Sequence, residues 1–143
     1  MGRRIVLDTN VIVAGLRSRR GAAFRLLSLI GSGVFTHCLS VPLLFEYEDV
    51  LTRPGMVPLS ADSIEDVLDG LCAMAEQRPL YFLWRPQLVD AADDLVLEIA
   101  VTGQCDTIIT YNQRHFVGSE RFGVRVQTPA DFLLALHEKG EDV

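Results

Sequence analysis

Short runs of β-branched and aliphatic residues alternate along this chain with longer stretches whose apolar residues recur every three or four positions, and this alternation limits the folds open to it. A strand, a crossover helix and a second strand pack back together only as a mostly parallel sheet, here with helices on both faces, which is an α/β architecture. Arg4-Ile5-Val6-Leu7-Asp8 reads as a buried strand ending on a carboxylate, and Thr9-Asn10 offers a cap for a helix beginning near Val11. Residues 21–30 carry helical spacing, Gly31-Ser32-Gly33 breaks it, and residues 34–39 are strand-like. Ser40 as cap and Pro42 in the first turn open a helix that runs through Glu46 towards Leu51 until Arg53-Pro54-Gly55 stops it. A longer amphipathic helix is expected over 60–76, a strand over 80–84, a helix over 90–104 with Leu97, Ala100 and Val101 on its apolar face, and a buried strand over 106–110. After a polar loop over 111–115, a strand over 124–127 and a helix from Thr128-Pro129 to Lys139 close the chain.

With 143 residues, 49% of them hydrophobic, the chain can close one core and leaves no room for a second, so residues 1–143 are expected to form a single domain. Cys38, Cys72 and Cys105 stand in no CxxC or Cys/His pattern, which argues against zinc and a disulfide framework and for reduced core thiols. Arg3 and Arg4 before an apolar run imitate a secretory signal, but Asp8 and Asn10 interrupt it. No stretch approaches the ~18 to 20 apolar residues that span a bilayer, so a cytoplasmic protein is expected. The formal charge of −6 opposes holding a polyanion by a general positive field. Its distribution is uneven: Arg3, Arg4, Arg17, Arg19, Arg20 and Arg25 are six of the 13 cationic residues, and Asp8 is the sole acid before position 46. Contact with a polyanion should therefore involve the N-terminal part, unless this is simply a solvated cationic face.

Acidic residues recur where elements end: Asp8 at a strand's C-terminal edge, Glu46 on a helix, and the cluster Asp90-Ala91-Ala92-Asp93-Asp94. The crevice beyond strand C-termini is where α/β sheets bind ligands. Singly, each has an ordinary reading as a turn residue, one exposed acid among Glu48 and Asp49, or a helix cap.

Taken in order, Ile-Val-Leu-Asp-Thr-Asn (5–10), Ser-Val-Pro-Leu-Leu-Phe-Glu-Tyr-Glu-Asp-Val-Leu (40–51), Asp-Ala-Ala-Asp-Asp-Leu-Val-Leu-Glu-Ile-Ala (90–100) and Thr-Ile-Ile-Thr-Tyr-Asn-Gln-Arg-His-Phe (107–116) resemble PIN domains, and most closely the VapC-like ribonuclease toxins of bacterial toxin–antitoxin pairs. The resemblance implies a PIN-like fold and a metal-dependent endoribonuclease that gathers Asp8, Glu46 and Asp93 around Mg²⁺ or Mn²⁺. Asp93 matches better than Asp90 or Asp94 because Ala100 lies seven residues on, where the family has a small residue packed on the sheet. It further implies that Asp8 and Asp93 are the main ligands, that Glu46 holds a metal-bound water or acts as general base, and that Asn112 and Thr110 orient water or phosphate from behind those ligands. Asn10 either supports Asp8 or serves as a helix-start residue. Where PIN domains often carry a fourth acid this chain has Asn112, which removes one negative charge. The implied partners are an RNA substrate, a cognate antitoxin and a second copy of the chain, with Leu43, Leu44 and Phe45 as candidates for the dimer surface. His115 beside Phe116 reads as structural or phosphate-contacting, and His37 and His137 have no partner spacing for metal or triad chemistry.

A haloacid-dehalogenase-type phosphatase needs Asp-x-Asp-x-Thr, and Asp8-Thr9-Asn10-Val11-Ile12 lacks both the second acid and the threonine. A receiver domain needs an acidic pair before its strand and a late lysine, and Lys139 lies too far into the last helix. The alternative that survives is a catalytically silent PIN-like module that binds RNA or protein.

Overall fold

The computed structural model describes the backbone of residues 3–77 and 91–138, and the side chains of 3–76 and 95–138. Five strands, β1 (Arg3–Leu7), β2 (Phe35–Leu39), β3 (Glu76–Gln77), β4 (Thr107–Ile109) and β5 (Arg125–Gln127), form one sheet in the order β3-β2-β1-β4-β5 with every neighbouring pair parallel. The order reverses at β1, so the crevice at its C-terminal end is the topological switch point. Among the described residues five α-helices lie between the strands, α1 (Thr9–Arg17), α2 (Ala22–Ser28), α3 (Val41–Leu51), α4 (Ala61–Met74) and α5 (Ala91–Thr102), and a sixth, α6 (Pro129–Glu138), follows β5. The α/β reading holds, with helices on both faces.

Alternating side chains of β1 and β2 set the two faces. Arg3 and Phe35 are register partners, and both meet Phe132 of α6, Phe35 edge-on at 5.8 Å between ring centroids and Arg3 through its guanidinium 5.8 Å above the ring. On the other face Arg4 donates through Nε and Nη2 to the Gly103 carbonyl just beyond α5, at 3.0 and 2.8 Å, and pairs with Glu76 at 2.6 Å. Ile5, Val6, Leu7, Ile108 and Ile109 are wholly buried, as central parallel strands covered on both sides must be.

Local signals explain most boundaries. Ser40 and Ser60 cap α3 and α4 through Oγ, accepting from the amides of Leu43 and Ser63 at 3.2 Å each. Several expectations need correction. α1 begins at Thr9 and its cap is Asp8, whose carboxylate accepts from the Thr9 amide at 2.7 Å, so the strand-end acid itself starts the helix. Glu76 ends no helix; it opens β3, where the chain pairs with β2. The expected loop over 111–115 tightens into a 3-10 turn at Gln113–Phe116, and a second one follows at Ser119–Phe122. The strand expected over 80–84 and the cap expected of Asp90 lie outside the described residues, as does Lys139.

α1 and α2 pack closely because Gly15 carries no side chain. A Cβ there would overlap Leu27 Cδ1 and sit 3.3 Å from the Ala23 backbone carbon. Gly15→Ala is therefore expected to lower the unfolding free energy by about 1–3 kcal/mol, as overpacking does, despite alanine's better helix propensity. Urea denaturation would check it; a midpoint at or above wild type would mean that α2 simply shifts away.

Candidate active site

Asp8 follows the last residue of β1, in extended conformation (φ −69, ψ 150), and is 7% exposed. Leu7 and Ile109 are register partners and the Asp8 amide donates to the Ile109 carbonyl at 2.9 Å, so Asp8 and Thr110 sit side by side at the ends of adjacent strands. Besides the Thr9 amide on Oδ1, the carboxylate accepts on Oδ2 from the Thr110 hydroxyl at 2.7 Å and from Asn10 Nδ2 at 3.1 Å. Thr110 Oγ1 in turn accepts from the Asn112 amide at 2.9 Å and from Asn10 Nδ2 at 3.3 Å, and Asn10 Oδ1 accepts from the Tyr111 amide at 3.2 Å. One network thus locks the carboxylate, the first turn of α1 and the loop after β4 together. Its anion also lies at the N-terminus of α1, where the helix dipole favours it.

Asn10 is bonded to Asp8 as well as lying in the first turn of α1. Thr110 is fully buried and its hydroxyl is committed to Asp8, so it acts through that carboxylate and not on water or phosphate directly. Asn112 is exposed at the start of the 3-10 turn, where its carbonyl accepts from the His115 amide at 2.9 Å, and His115 is exposed as well.

Glu46 is half-buried on α3, beside Tyr47. Sequence reasoning missed Tyr47: it is fully buried, and its hydroxyl donates to the Leu7 carbonyl, the last of β1. Its position between Leu43 and Leu51 on one helix face announces a core residue; nothing local reveals the partner. Burial, and then the charge of Asp8, push the phenol well above its ordinary pKa, so it remains a donor. This bond pins α3 to the end of β1 and brings Glu46 to the same region. Tyr47→Phe is expected to cost about 1–3 kcal/mol, since the Leu7 carbonyl stays buried without its donor. Differential scanning calorimetry reads this as a lower Tm, and an unchanged Tm would show that a water replaces the hydroxyl.

The third acid of the sequence reading, Asp93, belongs to α5. That helix ends beside the N-terminal end of β1, where Arg4 holds Gly103 and the Asp106 amide donates to the Arg4 carbonyl at 2.9 Å. Twelve residues at 1.5 Å make a helix of about 18 Å, close to the roughly 16 Å of a five-residue strand, so its first turn returns to the Asp8 edge of the sheet. Asp93 is the third residue of that turn; its side chain, like that of Asp94, lies outside the described residues. Ala100 is fully buried as α5 packs on the sheet. Among the described residues no three His, Cys, Asp or Glu side chains form a group able to hold a metal ion. Asp8 and Glu46 are both carboxylates, the hard oxygen ligands suited to Mg²⁺ or Mn²⁺.

The N-terminal cations divide. Arg3 is 8% exposed under Phe132 and Arg4 is tied to Glu76, so both serve the sheet, at the edge opposite Asp8. Arg17, Arg19, Arg20 and Arg25 are exposed. Leu43 belongs to the core and is withdrawn from any dimer surface, whereas Phe45 is 62% exposed. All three cysteines are free thiols, but Cys72 is only half-buried, so only Cys38 and Cys105 are core residues. Among the described residues no helix is long and apolar enough to cross a membrane.

The profile of one protein family, described as the PIN domain, matches residues 4–114, which takes in Asp8, Glu46, Asp93 and Asn112. Among solved structures, a chain of the VapBC2 crystal structure from Rickettsia felis, bound to a DNA fragment from their promoter, has a similar fold, with a TM-score of 0.57 at 15% identity over 87% of this chain and 98% of that one. No curated protein matches the sequence.

Proposed function

Because the chain belongs to the PIN domain family, whose members are generally nucleases, we propose that it hydrolyses RNA phosphodiester bonds with a divalent metal, Mg²⁺ or Mn²⁺, held by Asp8, Glu46 and Asp93. The observation that carries this reading is the built anchor at Asp8: three donors orient one carboxylate at the C-terminal end of the central strand. When bound, the metal supplies charge neutralisation at the phosphate and a lowered pKa for the attacking water. Asp8 and Asp93 are the main ligands, and Glu46 holds the attacking water at the metal or takes its proton as general base. Asn10 and Thr110 hold Asp8 at a fixed angle, and exposed Asn112 donates its side-chain amide to a phosphate oxygen. No protein nucleophile is required.

The fold likeness to a VapBC2 chain supports a toxin of a toxin–antitoxin pair, with an antitoxin as partner; such a toxin would act in the cytoplasm. Two copies are proposed to associate through the exposed apolar side of α3 at Val41 and Phe45. A single monomeric peak in gel filtration would remove that association.

The test is cleavage of a mixed cellular RNA pool by purified protein with Mg²⁺ or Mn²⁺, beside an EDTA control. Cleavage lost on chelation supports the reading. A protein that binds RNA but cuts none of it is instead the silent binding module.

A further inference from the structure

An open groove of about 530 Å³ runs down from the acidic edge, lined by Thr9, Asn10, Val13, Ala14, Arg17, Val50 and Met56. Both of its walls lead out of the Asp8 site. Along α1, Asn10, Val13, Ala14 and Arg17 are spaced three, four and seven residues from the first, which puts them on one helix face. On α3, Val50 lies four residues after Glu46 and shares its face. The polar atoms of Asn10 are turned back to Asp8, Thr110 and Tyr111, so what it leaves to the groove is its apolar side. At the far end Arg17 donates through Nε to the Met56 carbonyl at 2.7 Å and lies 3.5 Å from its sulfur through Nη2. This fixes the methionine as a wall and leaves the guanidinium exposed.

The groove therefore has an apolar middle, a carboxylate site at one end and a fixed cation at the other. Asn10 and Arg17 are about 10 Å apart along α1, the length of roughly three nucleotides stacked at 3.4 Å. Charge distribution selects this route over others. The outer face of α4 exposes Asp62, Glu65, Asp66 and Asp69, which repel a polyanion, while Arg17, Arg19 and Arg20 cluster where α1 ends. Unpaired bases are read by burial against flat or polarizable side chains, and the Met56 thioether, which lines the groove together with Val13 and Val50, offers such a surface.

We propose that this groove is a base-binding subsite: it takes one unpaired nucleobase of the RNA strand whose scissile phosphate lies at Asp8, and Arg17 meets a phosphate further along that strand. The inference rests on the ribonuclease reading above and adds to it a specificity position. Met56 and Arg17 act on substrate choice and affinity, not on the chemical step.

The experiment compares wild type, Met56→Asp, Arg17→Gln and the remote control Glu120→Gln on two substrates. One is bis(p-nitrophenyl) phosphate, a diester with no base. The other is a fluorescein-labelled single-stranded RNA decamer spanning a mapped cut, intact or with one abasic ribose at each position in turn. Met56→Asp and Arg17→Gln are expected to slow decamer cleavage at least tenfold more than hydrolysis of the small diester, with matching weakening of decamer binding in fluorescence anisotropy. One abasic position near the cut is expected to slow wild type at least tenfold and to add little in Met56→Asp. Arg17→Gln, at an exposed site, keeps the test valid if Met56→Asp fails to fold. Equal effects of both variants on the two substrates, or abasic decamers all cut at the intact rate, overturn the subsite. If wild type hydrolyses neither substrate, the ribonuclease reading has failed, and anisotropy with a random-sequence decamer pool then decides the groove separately. Binding weakened at least tenfold by Met56→Asp retains it, and equal binding overturns it.

Discussion

Asp8→Asn is expected to lower RNA cleavage about a thousandfold or more, the several kcal/mol that a metal's charge contributes at a phosphoryl transition state. It should also cost stability. Asp8 accepts from Thr9, Asn10 and Thr110, and an amide presents Nδ2 to at least one of these donors, a clash worth about 1–3 kcal/mol. Lost activity alone is therefore ambiguous. Calorimetric titration with Mn²⁺ separates the causes, because a variant that is folded at the assay temperature and has lost the metal heat has lost a ligand. Asp93→Asn should lose the same heat. Metal affinity unchanged in both variants would sink the ligand assignment even if cleavage had vanished.

The second large effect is acid sensitivity from His37. The imidazole sits in β2 on the same side as Phe35, is 2% exposed, and neither ring nitrogen has a partner among the described residues. Burial disfavours the cation and pushes its pKa down to about 4, against 6.5 for an ordinary histidine. Between those values the unfolded chain binds the proton and the folded protein does not. Its contribution is therefore fully present above pH 6.5, declines as the pH falls towards 4, and amounts to about 3 kcal/mol in all. His37→Leu should remove this slope and raise stability at neutral pH by about 1–2 kcal/mol, because two unsatisfied nitrogens leave the core. Chemical denaturation of both proteins at pH 7, 6, 5 and 4 isolates the histidine as the difference between the curves. Parallel curves would mean that His37 finds a partner and stays chargeable.

Patterning along the chain determined the alternation of elements, the serine caps of α3 and α4, the parallel sheet, and the placement of Asp8 at a strand's C-terminal end. Apart from the sheet, those features rest on neighbours within about four residues, through backbone hydrogen bonds and side-chain spacing, so a local reading reaches them; parallel pairing follows from strands alternating with crossover helices. The resemblance to PIN domains drew on the same short segments and was met by the match over residues 4–114. Contacts across the chain were decided only by the tertiary structure. Arg3 and Arg4 read as cations for a polyanion until Phe132 and Glu76 are seen around them, 129 and 72 residues on. Thr110 has no identifiable partner in the sequence until its hydroxyl is found 2.7 Å from Asp8, across 102 residues. Tyr47 reads as one more apolar helix position until it reaches the Leu7 carbonyl. In each case a charge or hydroxyl looks available in the sequence because only folding supplies the partner that takes it out of water, and which partner it meets depends on strand order and helix packing rather than on its neighbours.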